Sequence, residues 1–420
     1  MKKFKLVGVL VLLSIFTRSA YAQCAKFEPP DGTAILIMGQ DLGSLGGSAS
    51  PNNNGYIENV GGPVPGGVTT YLSIPSLAGM TSITNYGGGD ICAQCITDNT
   101  LYKNSVLAVG LYLVGELANI NNGTRDGVLL QLANWIKGRS QPVFLRIGYE
   151  YDGSWNNYNA AAYKLAYKRI VDKMRLAGVS NCAYVWQGSG YSNDTTYLKQ
   201  WYPGDDYVDW MAYSHFKYAS NGSGEIALAR SHQKPLMIAE ATPRGDIITT
   251  GYSWDGWFGP LFQHIQNNKD VIKALAYINA NWNAQPMWIG QGWGDTRVQN
   301  NATIKTKWLA EISSSFWLNA SPTLFQTLDC DANQIEDTSV NSINIFPNPS
   351  NGEINIALPF LEEIKEISIS DINGKEIYNS SDYSNINLKI NLNENISAGV
   401  YVVNIALRSG AFSKQKIIVF

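Results

Sequence analysis

Between residues 34 and 278 the chain repeats one motif eight times, a short and nearly continuous apolar run. The runs are Ala34–Met38, Thr70–Ile74, Val106–Leu113, Val143–Ile147, Ala183–Trp186, Val208–Tyr213, Leu236–Ala239 and Lys273–Ile278. Such runs suit strands covered on both faces, as parallel sheets require. Amphipathic helical stretches separate several of them. After the fourth run, Tyr163, Ala166, Tyr167, Ile170, Val171 and Met174 keep the spacing of a buried helix stripe, and Val128, Leu129, Leu132 and Ile136 do so before it. Eight strand signals alternating with helices over ~300 residues fit a closed (β/α)8 TIM barrel better than an open sheet. The fold class is therefore α/β.

Both ends of the chain differ from this middle. Residues 1–22 read as a signal peptide: Lys2, Lys3 and Lys5 precede a short apolar stretch, and Ala20-Tyr21-Ala22 fits a small-x-small cleavage site. That stretch is too short for a membrane span, which takes ~20 residues, so no span is expected in the mature chain. Cys24 follows a poor lipobox. The barrel is expected over residues 23–330 and a polar linker over 331–343. From residue 344 to 420 the chain alternates apolar and polar residues, as in Ile354/Ile356, Ile367/Ile369, Ile386/Leu388/Ile390 and Tyr401/Val403/Ile405, with turns at Asn351-Gly352 and Asn373-Gly374. This is the pattern of a small all-β sandwich.

In a barrel of this kind chemistry gathers where the loops leave the C-terminal ends of the strands. Glu150 follows the fourth run and Glu240 the seventh, each near aromatic residues. Two carboxylates facing across one barrel mouth are what glycoside hydrolysis needs, one to protonate the leaving oxygen and one to attack or stabilise the anomeric carbon. A separation of ~5–5.5 Å is expected, the spacing that gives retention. Glu150, buried beside rings and a second negative charge, is expected to have a raised pKa and to act as acid/base. Glu240 is expected to stay ionised as nucleophile, held by Tyr213 or Arg146. Trp282 is expected to floor the sugar pocket. His215 is a candidate sugar ligand, and Trp155, Trp254, Trp257 and Trp288 are candidate platforms.

These residues resemble glycoside hydrolase family 26, and within it the endo-β-1,3-xylanases. The segments that carry the likeness include Ile35–Asp41 (with Gln40), Pro142–Glu150 (with Tyr149), Asp152–Asn156 (with Trp155), Val185-Trp186-Gln187, Trp210 and the residues before it, Glu240, and Tyr277–Trp282 (with Asn279). The resemblance implies a retaining clan A barrel with Glu150 as acid/base and Glu240 as nucleophile. It adds Gln40, Tyr149, Trp186 and Asn279 to Trp155, Tyr213, His215 and Trp282 as substrate-binding candidates. Tyr149 before the acid favours the xylanase-like branch over mannanases; Asn281 stands where that branch tends to carry Asp. The tail is similar to the C-terminal sorting domain of type IX secretion substrates in Bacteroidetes, through Phe346–Pro349, Asp371–Lys375, Gly399-Val400-Tyr401 and Lys416–Phe420. It implies that the type IX machinery exports the protein through residues 344–420, to the medium or the cell surface.

The function implied is a secreted endo-β-glycanase acting on a plant or algal polysaccharide, with β-1,3-xylan foremost. Two alternatives stay open: an endo-β-mannanase or other clan A endo-β-glycanase, and a non-catalytic surface barrel that only binds glycans. With 31 Lys and Arg against 34 Asp and Glu, nothing suggests a nucleic-acid partner. No cofactor is implied and no metal: Asp205-Asp206 reads as a turn cap. Among the cysteines, Cys92 and Cys95 are expected to form a local disulfide rather than half a zinc site, and Cys182 a buried thiol. Closure of the barrel would bring Cys24 near Cys330. His232 and His264 are expected at the surface.

Overall fold

The computed structural model describes residues 24–47, 55–216, 221–245, 254–329, 343–357, 364–371, 374–383, 387–392, 396–408 and 412–420. The expected signal peptide and most of the expected linker lie outside these residues. The chain divides into two compact units, 1–330 and 331–420.

In the first unit eight parallel strands follow one another: β1 (Ala34–Met38), β2 (Gly67–Ser73), β3 (Val106–Tyr112), β4 (Val143–Ile147), β5 (Cys182–Gly188), β6 (Trp210–Phe216), β7 (Leu236–Thr242) and β8 (Ile272–Tyr277). Each pairs with its neighbours in sequence, and β8 pairs back onto β1 from Ile35↔Ala274 to Met38↔Tyr277, which closes the barrel. A ninth short strand, β9 (Trp317–Leu318), adds beside Ala34 and Ile35. The larger helices are α1 (Asp126–Lys137), α2 (Ala160–Leu176), α3 (Ser223–His232), α4 (Gly259–Asn267) and α5 (Ala302–Ile312). All six residues of the stripe predicted on α2 are buried; on α1, Leu129, Leu132 and Ile136 are buried and Val128 is half-buried.

Alternation along the strands separates two cores. Ile35, Ile37, Val106, Ala108, Phe144, Ala183, Val185, Trp210, Ala212, Met237, Ala239, Ala274 and Ala276 fill the barrel interior. Their neighbours, such as Leu36, Val109, Leu145, Trp186, Met211, Tyr213, Ile238 and Tyr277, face outward into the helix layer. Phe27, Leu318, Leu324 and Leu328 pack against the interior set. Fully burying a large apolar side chain contributes roughly 1.5–3 kcal/mol, so both faces of every strand stabilise the closed form. The same parity decides which polar residues reach the mouth.

Cys92 and Cys95 form the local disulfide, and Cys182 is a buried thiol that burial pushes up to about 12. Cys24 is disulfide-bonded; its expected partner Cys330 lies outside the described residues.

The second unit is antiparallel throughout its paired strands. One sheet holds β10 (Asn344–Phe346), β11 (Glu353–Ala357) and β14 (Asn387–Asn391), and the other β13 (Glu376–Tyr383), β12 (Ile364–Asp371), β15 (Gly399–Leu407) and β16 (Phe412–Val419), in those orders. Ile354, Ile356 and Ile390 from the first share one core with Ile367, Ile369, Val403, Ile405 and Ile417 from the second, which makes a sandwich. No helix among the described residues is long and apolar enough to cross a membrane.

Candidate active site

Glu150 reaches the barrel mouth through an unusual backbone. Gly148, just past β4, has φ +57°, and a side chain there would clash with Tyr163 and Leu113. Glu150 itself has φ +52°, the left-handed region that costs a non-glycine residue about 1–3 kcal/mol and persists only where surroundings over-determine it. Here they do. The Tyr151 N–H donates to the Gln187 carbonyl (3.1 Å), and Asn156 Nδ2 donates to the carbonyls of Tyr149 (3.0 Å) and Glu150 (2.9 Å). The Glu150 carboxylate is buried, with Ser214 Oγ donating to Oε1 (2.7 Å) and Trp155 Nε1 to Oε2 (2.9 Å). Burial, followed by the negative charge of Glu240, holds its pKa well above the usual carboxylate range, against the two hydrogen bonds that favour the ionised form.

Glu240 reaches the same mouth through a β-bulge. Strict alternation from Met237 would place Ala239 and Ala241 inward and Glu240 among the helices. The register instead steps from Tyr213↔Ile238 to Ser214↔Glu240, and β8 shows the matching shift on the other side. The extra residue turns Glu240 into the barrel while Ala241 stays outside. There Arg146 Nη1 donates to Glu240 Oε1 (2.8 Å), with Gln187 Nε2 farther off at 3.4 Å. Arg146 is 0% exposed; it also donates to Gln187 Oε1 (2.9 Å) and Thr69 Oγ1 (3.2 Å), and lies 5.0 Å from the Tyr71 ring centre. Gly110 makes room for this, since a Cβ there would sit 2.8 Å from Arg146 Nη2 and 2.5 Å from Tyr71.

Gln187 and Ser214 join the two acids. Gln187 Nε2 donates to Ser214 Oγ (3.2 Å), and Ser214 donates onward to Glu150. Tyr149 completes the group: its ring packs 5.3 Å from Tyr71, and it feels the charges of both glutamates. A cavity of about 390 Å³ opens beside Trp155, lined also by Asp152, Ser189, Tyr191 and Tyr197. Trp155 is 55% exposed there while its indole N–H is fixed on Glu150.

Of the residues expected at the site, Glu150, Glu240, Tyr149, Trp155 and Arg146 come together. Several others do not. Trp186 and Tyr213 point outward by strand parity. Trp186 is 0% exposed and stacked on Tyr151 at 4.4 Å, and the Tyr213 hydroxyl pairs with His264 Nε2 (2.9 Å) rather than with Glu240. His215 shares that outward parity and stacks on His264 (5.6 Å). His264 is thus half-buried rather than a surface residue, as is His232, which pairs with Asp205 (2.8 Å). Trp282 is 2% exposed, stacked on Trp293 (4.6 Å), with its indole N–H on Thr296, so it packs the loop instead of flooring a pocket. Both ends of the buried Asn279 amide are spent, on the Val298 N–H (2.8 Å) and Gln299 (3.0 Å). Gln40 is buried, its N–H donating to Ser44 Oγ. Trp254 and Trp257 pack on Phe258. Asp205 accepts from the Tyr202 hydroxyl (2.7 Å), and no cluster of metal-ligating side chains occurs among the described residues. Thr69, Tyr71, Gln187 and Ser214 also join the site; each sits at an inward position of its strand, a signal readable once parity is set.

Because Arg146 is the cation facing a buried Glu240, Arg146→Met is expected to destabilise the barrel by about 3–5 kcal/mol, the effect of orphaning a buried charge. Adding Glu240→Gln should restore much of the loss. Urea unfolding of the single and double variants measures both; equal loss in the two would mean packing, not charge, is at stake.

A closed parallel barrel with two linked, buried carboxylates at strand ends is built for glycosidic bond hydrolysis. Comparison with known proteins agrees. Residues 114–258 match glycosyl hydrolase family 26, and residues 344–420 match the secretion system C-terminal sorting domain. A β-1,3-xylanase from Alcaligenes sp is 31% identical over 78% of this chain and 73% of its own, and β-1,3-xylanase TXYA from Vibrio sp 32% identical over 78% and 75%. An endo-β-1,4-mannanase double mutant from Cellulomonas fimi superposes with a TM-score of 0.53 at 15% identity, covering 93% of this chain and 95% of that one, which shows the shared fold. The chain belongs to glycosyl hydrolase family 26. It is a glycoside hydrolase with a type IX sorting tail, secreted or attached at the cell surface.

Proposed function

We propose that this hydrolase is an endo-β-1,3-xylanase in which Glu150 is the acid/base and Glu240 the nucleophile. The observation that carries the roles is the asymmetry of the pair. Glu240 accepts a hydrogen bond from the Arg146 cation, whereas Glu150 accepts only from the neutral Ser214 and Trp155 and is pushed toward its protonated form by burial and by the charge of Glu240. Glu150 gives its proton to the departing sugar oxygen as Glu240 bonds to the anomeric carbon. Glu150 then takes a proton from the water that releases the sugar, and the configuration is retained. The cavity beside Trp155 lies on the acid's side and suits the leaving portion of the chain. Tyr149 and Trp155 are the substrate contacts this reading keeps. The substrate follows the two xylanase relatives. In domain terms, residues 23–330 would carry the chemistry, 331–343 the linker and 344–420 the export signal after loss of 1–22.

The test is hydrolysis of defined β-1,3-xylan, β-mannan and mixed-linkage β-glucan, with the first-formed anomer followed by NMR. β-1,3-Xylan is expected to be cut fastest, with the β-anomer appearing first. Faster cleavage of mannan reassigns the substrate. Binding without hydrolysis of any of them would make the barrel a glycan-binding module.

A further inference from the structure

One buried acid takes no part in this chemistry. Glu225, in the first turn of α3, is 0% exposed, and neither of its carboxyl oxygens has a well-formed hydrogen bond; the amides of Glu225 itself and Gly190 point toward them. The Tyr151 hydroxyl is likewise buried and unpartnered. Both converge over Gly188, where an added Cβ would lie 2.4 Å from Glu225 Oε1 and 3.1 Å from the Tyr151 hydroxyl. Tyr151 is the residue after Glu150, its N–H is bound to Gln187, and Asp152 accepts from the Ser189 N–H (2.7 Å) and hydroxyl (3.0 Å). The titratable groups around Glu225 are Asp152 and Tyr151 from the loop after β4 and Tyr213 from β6. None of them is a cation.

We propose that Glu225 is a positioning residue for Glu150: as a neutral carboxylic acid it closes onto the neighbouring Tyr151 hydroxyl over Gly188, and so pins the left-handed turn that aims the acid. A carboxylate here would face Asp152 with only backbone amides and no cation to offset it, whereas a carboxylic acid supplies the donor that Tyr151 can accept. Burial, then the nearby Asp152, pushes its pKa up to about 8. The proposal rests on Glu150 being the acid.

The experiment compares Glu225→Ala, Glu225→Gln, Tyr151→Phe and the Glu225→Ala/Tyr151→Phe pair on xylan, in the full chain. Glu225→Ala is expected to lower kcat about 10- to 100-fold through misplacement of Glu150, with KM little changed. Glu225→Gln keeps a neutral donor and should recover to within about threefold, the effect of a weakened hydrogen bond. The pair should be no worse than Glu225→Ala alone, since both changes cut one contact. The acid limb of kcat/KM, where Glu225 is neutral, should not move in Glu225→Gln; a move to lower pH would reveal that a negative charge had been removed, and additive losses would show no shared contact. Either result overturns the proposal.

Melting offers an arm independent of catalysis. The folded pKa of Glu225 is raised, so its contribution is full below the unfolded value near 4.5 and is lost as pH rises to about 8. The melting temperature of Glu225→Gln should therefore gain on the wild type across that window; parallel curves overturn the neutral acid. Glu150→Ala, run alongside, separates the failures: if it keeps full turnover the acid lies elsewhere, while melting still reports on Glu225. Should Glu225→Ala not fold, Glu225→Gln and Tyr151→Phe carry the test.

Discussion

Glu240→Ala is expected to lower turnover of the polysaccharide by about four orders of magnitude while leaving glycan affinity largely intact. The size follows from its role. Without a side chain to bond the anomeric carbon, the first step has no attacking group, and the acid alone cannot supply one. The space left behind lies beside the Arg146 guanidinium, a cation that would attract a small anion. Added azide should therefore restore turnover of a substrate with an activated leaving group. Its attack comes from the side Glu240 occupied, so the product is the α-glycosyl azide. A β-azide would place the nucleophile elsewhere. The substitution also removes the charge that helps keep Glu150 protonated, so a carboxyl NMR titration of Glu240→Ala should find the Glu150 pKa lower than in the wild type.

Much of this site could be read before any coordinates, and the part that could not has one cause. The barrel was legible because strands buried on both faces leave long apolar runs, and the two acids because they follow the ends of runs four and seven. Parity was not legible in those runs. At β5 the expectation fell on Trp186 and the inward residue is Gln187; at β6 it fell on Tyr213 and the inward residue is Ser214. Each miss is one residue, and each preferred a large ring to a small polar neighbour. The small inward residues Ala183, Ala212, Ala274 and Ala276 carry the missing signal, because a barrel interior has less room than the helix layer. The bulge at Ala239 and Glu240 and the left-handed turn at Glu150 break local rules, and such breaks gather where function needs a side chain re-aimed. In the tail, by contrast, β15 buries a single face, so alternation showed its inward side directly, through Tyr401, Val403 and Ile405.

Glu150→Ala should separate substrates by their leaving groups. On xylan the sugar oxygen must be protonated to depart, and loss of the acid is expected to lower kcat by about 10²–10⁴-fold. An aryl glycoside whose leaving group needs no proton should form the glycosyl-enzyme at near wild-type rate and then stall, because no base activates water. Azide needs no base and should release that intermediate as the β-glycosyl azide, the opposite anomer from Glu240→Ala. The pH profile gives the second half of the argument. Wild-type kcat/KM should be bell-shaped, with limbs that belong to the coupled pair. Its alkaline limb should lie above the ordinary carboxylate range, since burial and Glu240 both favour the protonated acid. Glu150→Ala should lose that limb. Ser214→Ala removes a hydrogen bond that stabilises the ionised form, so it should move the limb to higher pH. An alkaline limb that survives in Glu150→Ala and ignores Ser214 would assign the acid to another residue.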